Sequence, residues 1–567
     1  MYGWLVTNCL SEIEKINGLS ENTMFRKIND FYFVMKQNGR FSEDKLFYET
    51  KDYFILIDGI VLNKNELLDK YKKSYVEIIL QIYQEDRDEL PRSLRGPFSG
   101  LIYDKNSDSI FAFTNHTGDG GVFYYAKDSL IISNNFDWII QSLKILNISY
   151  SLDTNAINYI CTFGFMLDNT TYVDIIKRCM PGQAIYYVKG KATKNYYHIF
   201  NNYDVINLTE EEIIDRIDNL FRKAIKREFD KDREYGYKSI VDLSGGLDCR
   251  VVNYVAKSMG YSDILNVSFS QTFSDEYKAM IALSRDLKFK LFHYPLDNAT
   301  HLYDIDKIVK KNYGLSFYAG AGAIMSIMEN INLDIYGLEH GGIMGEMADG
   351  VFPGPGYDHH IPPSFEKGMP FSRKFDLSIL PSKILEEYDN LELFTIMGRG
   401  LLGGANTQLI RRDYTGYVSP FEDVDFYDFF ISIPVETRGK GQILKKWISL
   451  KYPEAFNIIE DKLMCRPNSS KIIKKYKKYK KKFKGKLNQY FGRLIPALGI
   501  NNMNPTEYWY NTNENIKTFV DDYYKSNISR MDKYINEQKM VRELFESNNI
   551  NDKLISLTIL STIKQFF

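Results

Sequence analysis

The stretch Lys238–Gly260, KSIVDLSGGLDCRVVNYVAKSMG, constrains the fold of this chain more than any other. Its apolar run Ile240–Val241–Asp242–Leu243 suits a buried parallel strand. A small, turn-prone loop follows, Ser244–Gly245–Gly246–Leu247–Asp248. Val251, Val252, Val255, Ala256 and Met259 then recur at helical spacing, and Gly260 is placed to cap the helix. Strand, glycine-rich loop and helix form the arrangement in which backbone N–H groups and a helix N-terminus meet an anion. Two adjacent glycines let the backbone approach a phosphate closely. The loop is not a Walker A sequence, because GxxxxGK(S/T) occurs nowhere in the chain.

The pattern then repeats. Ile264–Phe269 reads as a second strand. Ser274 is a good N-cap, with Asp275 and Glu276 in the first helical turn, where acids suit the helix dipole. Tyr277, Met280, Ile281 and Leu287 form one helical face, and Phe289–Pro295 reads as a third strand. Alternating strands and helices predict a doubly wound parallel sheet. Ligands of such sheets sit at the C-terminal ends of strands, where the Ser244 loop falls. Leu333–Gly337 reads as another strand, feeding LEHGGIMGEMADG (338–350) toward the same edge. Residues 351–372 read as an exposed loop over that edge, in which the adjacent His359 and His360 are a loop feature.

The chain has 567 residues, enough for two or three domains, with 44% hydrophobic and 15% aromatic residues to fill their cores. A formal net charge of -1 argues against a general nucleic-acid binder. Five scattered cysteines suggest neither a disulfide framework nor a zinc site. The N-terminus lacks the marks of a signal peptide, and no run of about 18 apolar residues occurs. A cytoplasmic protein is expected, and the sequence leaves a homodimer open.

Residues 1 to 200 read as a β-rich α+β domain. Tyr53–Asp58 and Gly100–Tyr103 are strand-like, and Glu66–Tyr83 has helical periodicity. Glu211–Phe229 is a charged helical link. Residues 468–490 form a lysine-rich amphipathic helix with an apolar stripe from Ile472 to Tyr490. Such a stripe more commonly packs on a core; otherwise it meets an anionic membrane, an acidic polymer or a nucleic acid. The remaining residues read as helical, with an apolar finish at Leu554–Phe567. The expected boundaries are 1–205, 206–467 and 468–567, the last a basic, helical C-terminal extension.

Several segments resemble the asparagine-synthetase family in order and spacing. SGGLD at Ser244–Asp248 resembles its pyrophosphate loop, SGGxDS. IDGIVLNKNEL (57–67), LRGPFSGLIYD (94–104), GDGGVFYY (118–125) and PGQAIYYVKGK (181–191) look like landmarks of its glutaminase domain. The stretch around Pro420–Phe421–Glu422–Asp423 and Lys445–Lys446–Trp447 resembles its downstream signatures. The resemblance covers roughly residues 1–465. It implies an N-terminal nucleophile hydrolase-like sandwich followed by a PP-loop ATPase-like sheet. It also implies an ATP-dependent ligase that activates a carboxylate as an acyl-adenylate, releases pyrophosphate, and passes the acyl group to ammonia or an amine. Lactam-forming and peptide-cyclising relatives extend the substrate class to small-molecule, glycan or peptide carboxylates of polysaccharide and natural-product pathways.

Carried over residue by residue, Ser244, Gly245 and Gly246 would hold pyrophosphate, Leu243 would lie beside adenine, and Glu276 near the nucleotide. Gly341 and Gly342 would face them, and Asp248 would bind Mg²⁺. Lys445 is the candidate cation for the charged intermediate, with Lys440 and Lys446 as alternatives. Three departures stand out. Tyr2 occupies the place of the family's catalytic cysteine, and a phenol cannot replace a thiol, so no glutaminase activity is expected and Cys9 lies too far along. Nitrogen would come from ammonia, an amine or a separate glutaminase. Ile343 and Met344 stand where two acids are expected, so Glu346 or Asp349 would supply a displaced carboxylate. Cys249 replaces a serine, a weaker donor. The competing reading is a catalytically weakened nucleotide-binding scaffold.

Overall fold

A computed structural model describes residues 2–10, 12–19, 22–348, 361–368, 370–491 and 501–567. The N-terminal part holds two six-stranded sheets whose neighbouring strands are all antiparallel. Side-chain alternation sets their packing. In Gly3–Thr7 of the first sheet, Trp4 and Val6 turn one way and Leu5 the other. In Tyr53–Gly59 of the second, Phe54 and Leu56 oppose Ile55 and Ile57. Trp4, Val6, Phe54 and Leu56 share one core, so the sheets pack face to face. The outer faces take helices Lys64–Tyr71 and Tyr75–Glu85 on one side, and Phe136–Ile145 and Thr154–Phe163 on the other.

The expected single helix over Glu66–Tyr83 is two. Lys72 adopts a left-handed φ of 52°, and Ser74 starts the second helix with a capping box to Glu77. Helix α1, Glu210–Glu234, then leads into a five-stranded parallel sheet. Its strands are β1 Lys238–Asp242, β2 Ile264–Ser270, β3 Lys290–Pro295, β4 Tyr336–His340 and β5 Tyr417–Val418, in the order β3-β2-β1-β4-β5. α1, α2 (Asp248–Ser258) and α3 (Asp275–Leu287) cover one face, and Tyr318–Glu329 covers the other. Strand β4 begins three residues later than the expected Leu333. Its charged C-terminal end hides it from a hydrophobicity reading, because Glu339 and His340 are both buried.

Those charges are paired. Arg411 grips Glu339 with two hydrogen bonds, one of 3.0 Å. His340 stacks on Phe229 of α1 and bonds Asp232 at 2.8 Å and Glu228 at 3.2 Å. Burial alone would pull the imidazole down, but these two carboxylates hold it up at about 9. The unfolded value is 6.5, so the stability it contributes is fully present below pH 6.5 and lost as pH rises through about 9. A histidine resonance titrating near pH 9, absent in His340→Gln, is expected in the NMR spectrum. Titration of every histidine near the ordinary value would refute this pairing.

Ion pairs also join the sandwich to the parallel-sheet unit. Asp44 is fully buried and accepts from Lys231 at 3.1 Å and Tyr235 at 3.0 Å, with Lys64 3.2 Å away. Arg227 of α1 reaches Glu66, Asp423 and Asp425. Arg40 donates to the carbonyls of Leu333, just before β4, and Tyr336, its first residue.

Helix α4, Gln442–Lys451, buries Ile443, Leu444, Trp447 and Ile448 against α1. Helix α5, Lys471–Phe491, is the lysine-rich one. Its apolar stripe does not pack on a core: Ile472 is 82% and Phe483 66% exposed. Among the described residues no element covers Ile472, Ile473, Tyr476, Tyr479 and Phe483, so over that stretch the common expectation for an amphipathic helix is not met. The last helix, α6 Ile550–Phe566, is buried between the two units. Ile559 and Phe566 join the core of Phe136 and Ile160, while Leu554 and Leu557 join that of Ile308 and Tyr318. No helix among the described residues is long and apolar enough to cross a membrane.

Candidate functional site

Strand β1 ends at Asp242, and the Leu243 N–H donates to Val267 O of β2 at 2.8 Å, carrying the sheet ladder to the loop's edge. The chain then turns through Ser244–Leu247 into α2, which starts at Asp248. Arg250, in the first turn of α2, is fully buried and holds the loop from below. It donates to Gly245 O at 2.8 Å, and to Ala455, Ile458 and Ile459 carbonyls at 2.9, 3.0 and 2.8 Å.

Glu276 braces the loop from α3. Its carboxylate accepts the Gly245 N–H at 2.7 Å. Burial, reinforced by Asp461, raises its pKa above the ordinary value. A Cβ on Gly245 would lie 2.7 Å from Asp461 Cβ and 2.9 Å from Ala279 Cβ, so only glycine fits there. At Gly246 the nearest atom is Ser244 Oγ at 3.5 Å, an ordinary contact. Gly245 therefore faces the protein, and one of the loop's N–H groups is already engaged by a carboxylate.

A cavity of about 340 Å³ opens at this C-terminal edge of the sheet. It brings together Ser244, Asp248, Gly342 and Glu346, with Asp242, Cys249 and Tyr417. Leu243, Gly245, Gly246, Glu276 and Gly341 are not among the residues that line it. Gly341 packs so closely that a Cβ would meet Tyr417 Oη at 1.9 Å and Asp242 Oδ2 at 2.6 Å. A Cβ on Gly345 would fall 2.5 Å from Asp248 Cγ, so the Asp248 carboxyl occupies the space a side chain there would need. Met344, with a left-handed φ of 70°, is buried in the core beneath, and the Ile343 N–H donates to Tyr417 Oη at 3.3 Å.

Lys445 lies on the exposed face of α4 and does not line the cavity. Lys446 pairs with Glu210. Asp349, His359 and His360 lie outside the described residues, as does the Lys440 side chain. Among the described residues that line the cavity, the cation is Arg399, which sequence reasoning missed. It sits in Ile396–Leu402, a π-helical turn, beside Gly400, Gly403, Gly404 and Thr407 of the opposite wall. The density of glycine in GRGLLGG was the available signal, since π-turns and close backbone approach cluster at functional sites.

Electrostatics separates the acids. Burial and the neighbouring Glu339 push the Asp242 carboxyl well above the usual range, which favours a neutral, hydrogen-bonding acid. Burial and Asp242 likewise raise the Cys249 thiol, so it is not an activated nucleophile. Asp242, Asp248 and Glu346 all line the cavity. Among the described residues, no three His, Cys, Asp or Glu side chains cluster closely enough to hold a metal by themselves. Mg²⁺ at nucleotide sites takes one or two carboxylates and completes its shell with phosphate oxygens and water. Asp248 with Glu346 suits that requirement.

A second, smaller cavity of about 80 Å³ lies at the seam between the sandwich and the parallel sheet. Tyr2, Asp58, Asp119, Asn134, Arg411 and Arg412 help to line it, and no cysteine is among its lining residues. Cys9 lies elsewhere, with its sulfur 3.2 Å from Thr7 Oγ1.

Comparison with known proteins adds to this geometry. Residues 39–198 match the glutamine amidotransferase domain family. The chain is 24% identical over 237 residues to asparagine synthetase [glutamine-hydrolyzing] 1 of Bacillus subtilis (strain 168). That match covers 40% of this chain and 36% of the relative, so the chain spans about a third of that protein's length. Among solved structures, an allosteric regulatory enzyme of purine biosynthesis matches with a TM-score of 0.23 and 8% identity, over 52% of this chain and 74% of that one. Glutamine phosphoribosylpyrophosphate amidotransferase of B. subtilis matches with a TM-score of 0.21 and 7% identity, over 47% and 51%. The amidotransferase domain and the likeness to the B. subtilis synthetase together support an asparagine-synthetase-like family for this chain.

Proposed function

We propose that this protein is an ATP-dependent amide-bond-forming ligase. The observation that carries the reading is the cavity joining Ser244 and Asp248 of the strand–loop–helix turn to Gly342, Glu346 and Arg399 of the facing wall. In this reading the cytoplasmic enzyme is organised as a glutaminase-like unit over 1–205, a synthetase unit over 206–467 and a helical extension over 468–567. ATP lies at the C-terminal edge of the sheet. The Ser244 hydroxyl and the loop backbone hold its leaving pyrophosphate, and Leu243, buried in the core, supports the strand end without touching the base. Glu276 does not touch the nucleotide; it positions Gly245. Asp248, with Glu346, holds Mg²⁺, which offsets phosphate charge. Arg399 faces the charge that develops as a substrate carboxylate attacks the α-phosphate. An amine or ammonia then displaces AMP. Lys445, on the exposed face of α4, is left for the acceptor side. With no cysteine lining the seam cavity, nitrogen comes from ammonia, an amine or a separate glutaminase.

Carboxylate-dependent exchange between ATP and pyrophosphate tests the reading. It is expected to fall by about 10²-fold or more in Ser244→Ala and in Asp248→Ala. A second reading, a nucleotide-binding scaffold, is favoured by the Gly245 N–H already engaged by Glu276. ATP binding without exchange across a broad carboxylate panel would support the scaffold and overturn the ligase.

A further inference from the structure

We propose that α5, Lys471–Phe491, docks this protein on an anionic phospholipid surface. The helix carries ten lysines and no acidic residue. The whole chain has a net charge of -1, so ten positive charges here leave the remainder at -11. Positive charge is thus concentrated on one element, and an anionic surface would repel the rest of the molecule while attracting this part.

Charge alone would fit any polyanion; the apolar stripe chooses among them. Ile472, Ile473, Tyr476, Tyr479 and Phe483 are all solvent-exposed. At helical spacing they occupy an arc of about 120°, with lysines on both flanks. Two isoleucines and a phenylalanine gain nothing against phosphodiester backbones, whereas they enter the acyl boundary of a bilayer readily. Tyrosines suit its headgroup level, and lysines can lay their stems along the apolar face while the ammonium groups meet lipid phosphates. With no membrane-crossing helix among the described residues, the association is peripheral.

The helix is also tied to the site's edge. Lys481 Nζ donates to Lys462 O at 2.9 Å, next to Asp461, which packs on Gly245. Beyond the helix, Met503 O accepts the N–H of Gln271, just after β2, at 2.8 Å, and Asn501 O accepts the N–H of Asp275, the first residue of α3, at 3.1 Å. Docking through α5 therefore brings the C-terminal edge of the parallel sheet near the lipid surface, where an amphiphilic substrate would be found. The docking itself does not depend on the ligase reading.

Co-sedimentation of the full chain with vesicles tests the proposal. Binding is expected to phosphatidylcholine vesicles containing about one third phosphatidylglycerol, and not to phosphatidylcholine alone. The double variant Ile472→Ser, Phe483→Ser, which keeps every lysine, should lose at least about tenfold in bound fraction, as should Lys477→Gln, Lys478→Gln. Circular dichroism should be unchanged in both, because none of the altered side chains is buried. Equal binding to both vesicle types, or binding insensitive to the apolar substitutions, would overturn the proposal. So would single-stranded oligonucleotide binding stronger than vesicle binding and untouched by the apolar variant, which would assign the helix to nucleic acid. Vesicle-free self-association abolished by the apolar variant, without vesicle binding, would assign the stripe to a second copy of the chain.

Discussion

Asp44→Ala is expected to destabilise the protein by about 3–5 kcal/mol. The substitution leaves the Lys231 and Lys64 ammonium groups, both buried, without the carboxylate between them. Glu234 also approaches both lysines, at 2.8 and 3.3 Å, and becomes their remaining counter-charge. Asp44 additionally accepts the Val61 N–H at 3.0 Å, so a backbone donor of the sandwich is stranded as well. The loss falls on the seam, because Asp44 and Lys64 belong to the sandwich and Lys231 to α1. Urea unfolding followed by near-ultraviolet circular dichroism should show a lowered midpoint, and limited proteolysis should cut between the units first. A midpoint shift worth less than about 1 kcal/mol would mean that the cluster contributes no more than a surface pair.

The second large effect is expected at Arg250. Its alanine variant removes the one side chain that bonds Gly245 O and three carbonyls of the 455–459 segment. Four carbonyls, two of them buried and two half-buried, lose a charged donor, a cost of about 3–5 kcal/mol. The loop loses its anchor, and displacement of a positioned group by about 1 Å costs some 10²-fold in rate. Hydrogen exchange of peptides spanning Ser244–Asp248 should accelerate in the variant whatever the reaction is, and ATP–pyrophosphate exchange should fall. Arg250→Lys should recover little, since an ammonium cannot span acceptors on two sides as a planar guanidinium does. Unaltered amide exchange in the loop would show that Glu276 and the helix N-terminus suffice to hold it.

Which parts of this arrangement could be read from the chain follows from the range of the interactions. Strands such as Tyr53–Gly59, Ile264–Ser270 and Lys290–Pro295 announce themselves through local apolar patterning, and Ser274 through its capping role. The break at Lys72 leaves no trace in the apolar periodicity on either side. Strand β4 is hidden from local patterning because its Glu339 and His340 are neutralised by Arg411, Glu228 and Asp232, from elsewhere in the chain. The site divides the same way. Ser244 and Asp248 are visible as a loop motif, while Arg399 becomes a partner only once the chain has folded back across the sheet edge. The exposed stripe of α5 is the converse case, a local pattern whose usual meaning, burial on a core, the tertiary structure does not fulfil.

Helix α6 has a consequence for the order in which the molecule can be completed. Synthesis runs from the N-terminus, so the sandwich and the parallel-sheet unit leave the ribosome before residues 550–566 do. Until then Phe136 and Ile160 on one side, and Ile308 and Tyr318 on the other, lack the side chains that cover them in the finished protein. Two nascent units with adjacent open cores invite chaperone capture or mispairing with a neighbouring chain on the same message. Residues 550–566 then act as a keystone, closing both cores in a single step.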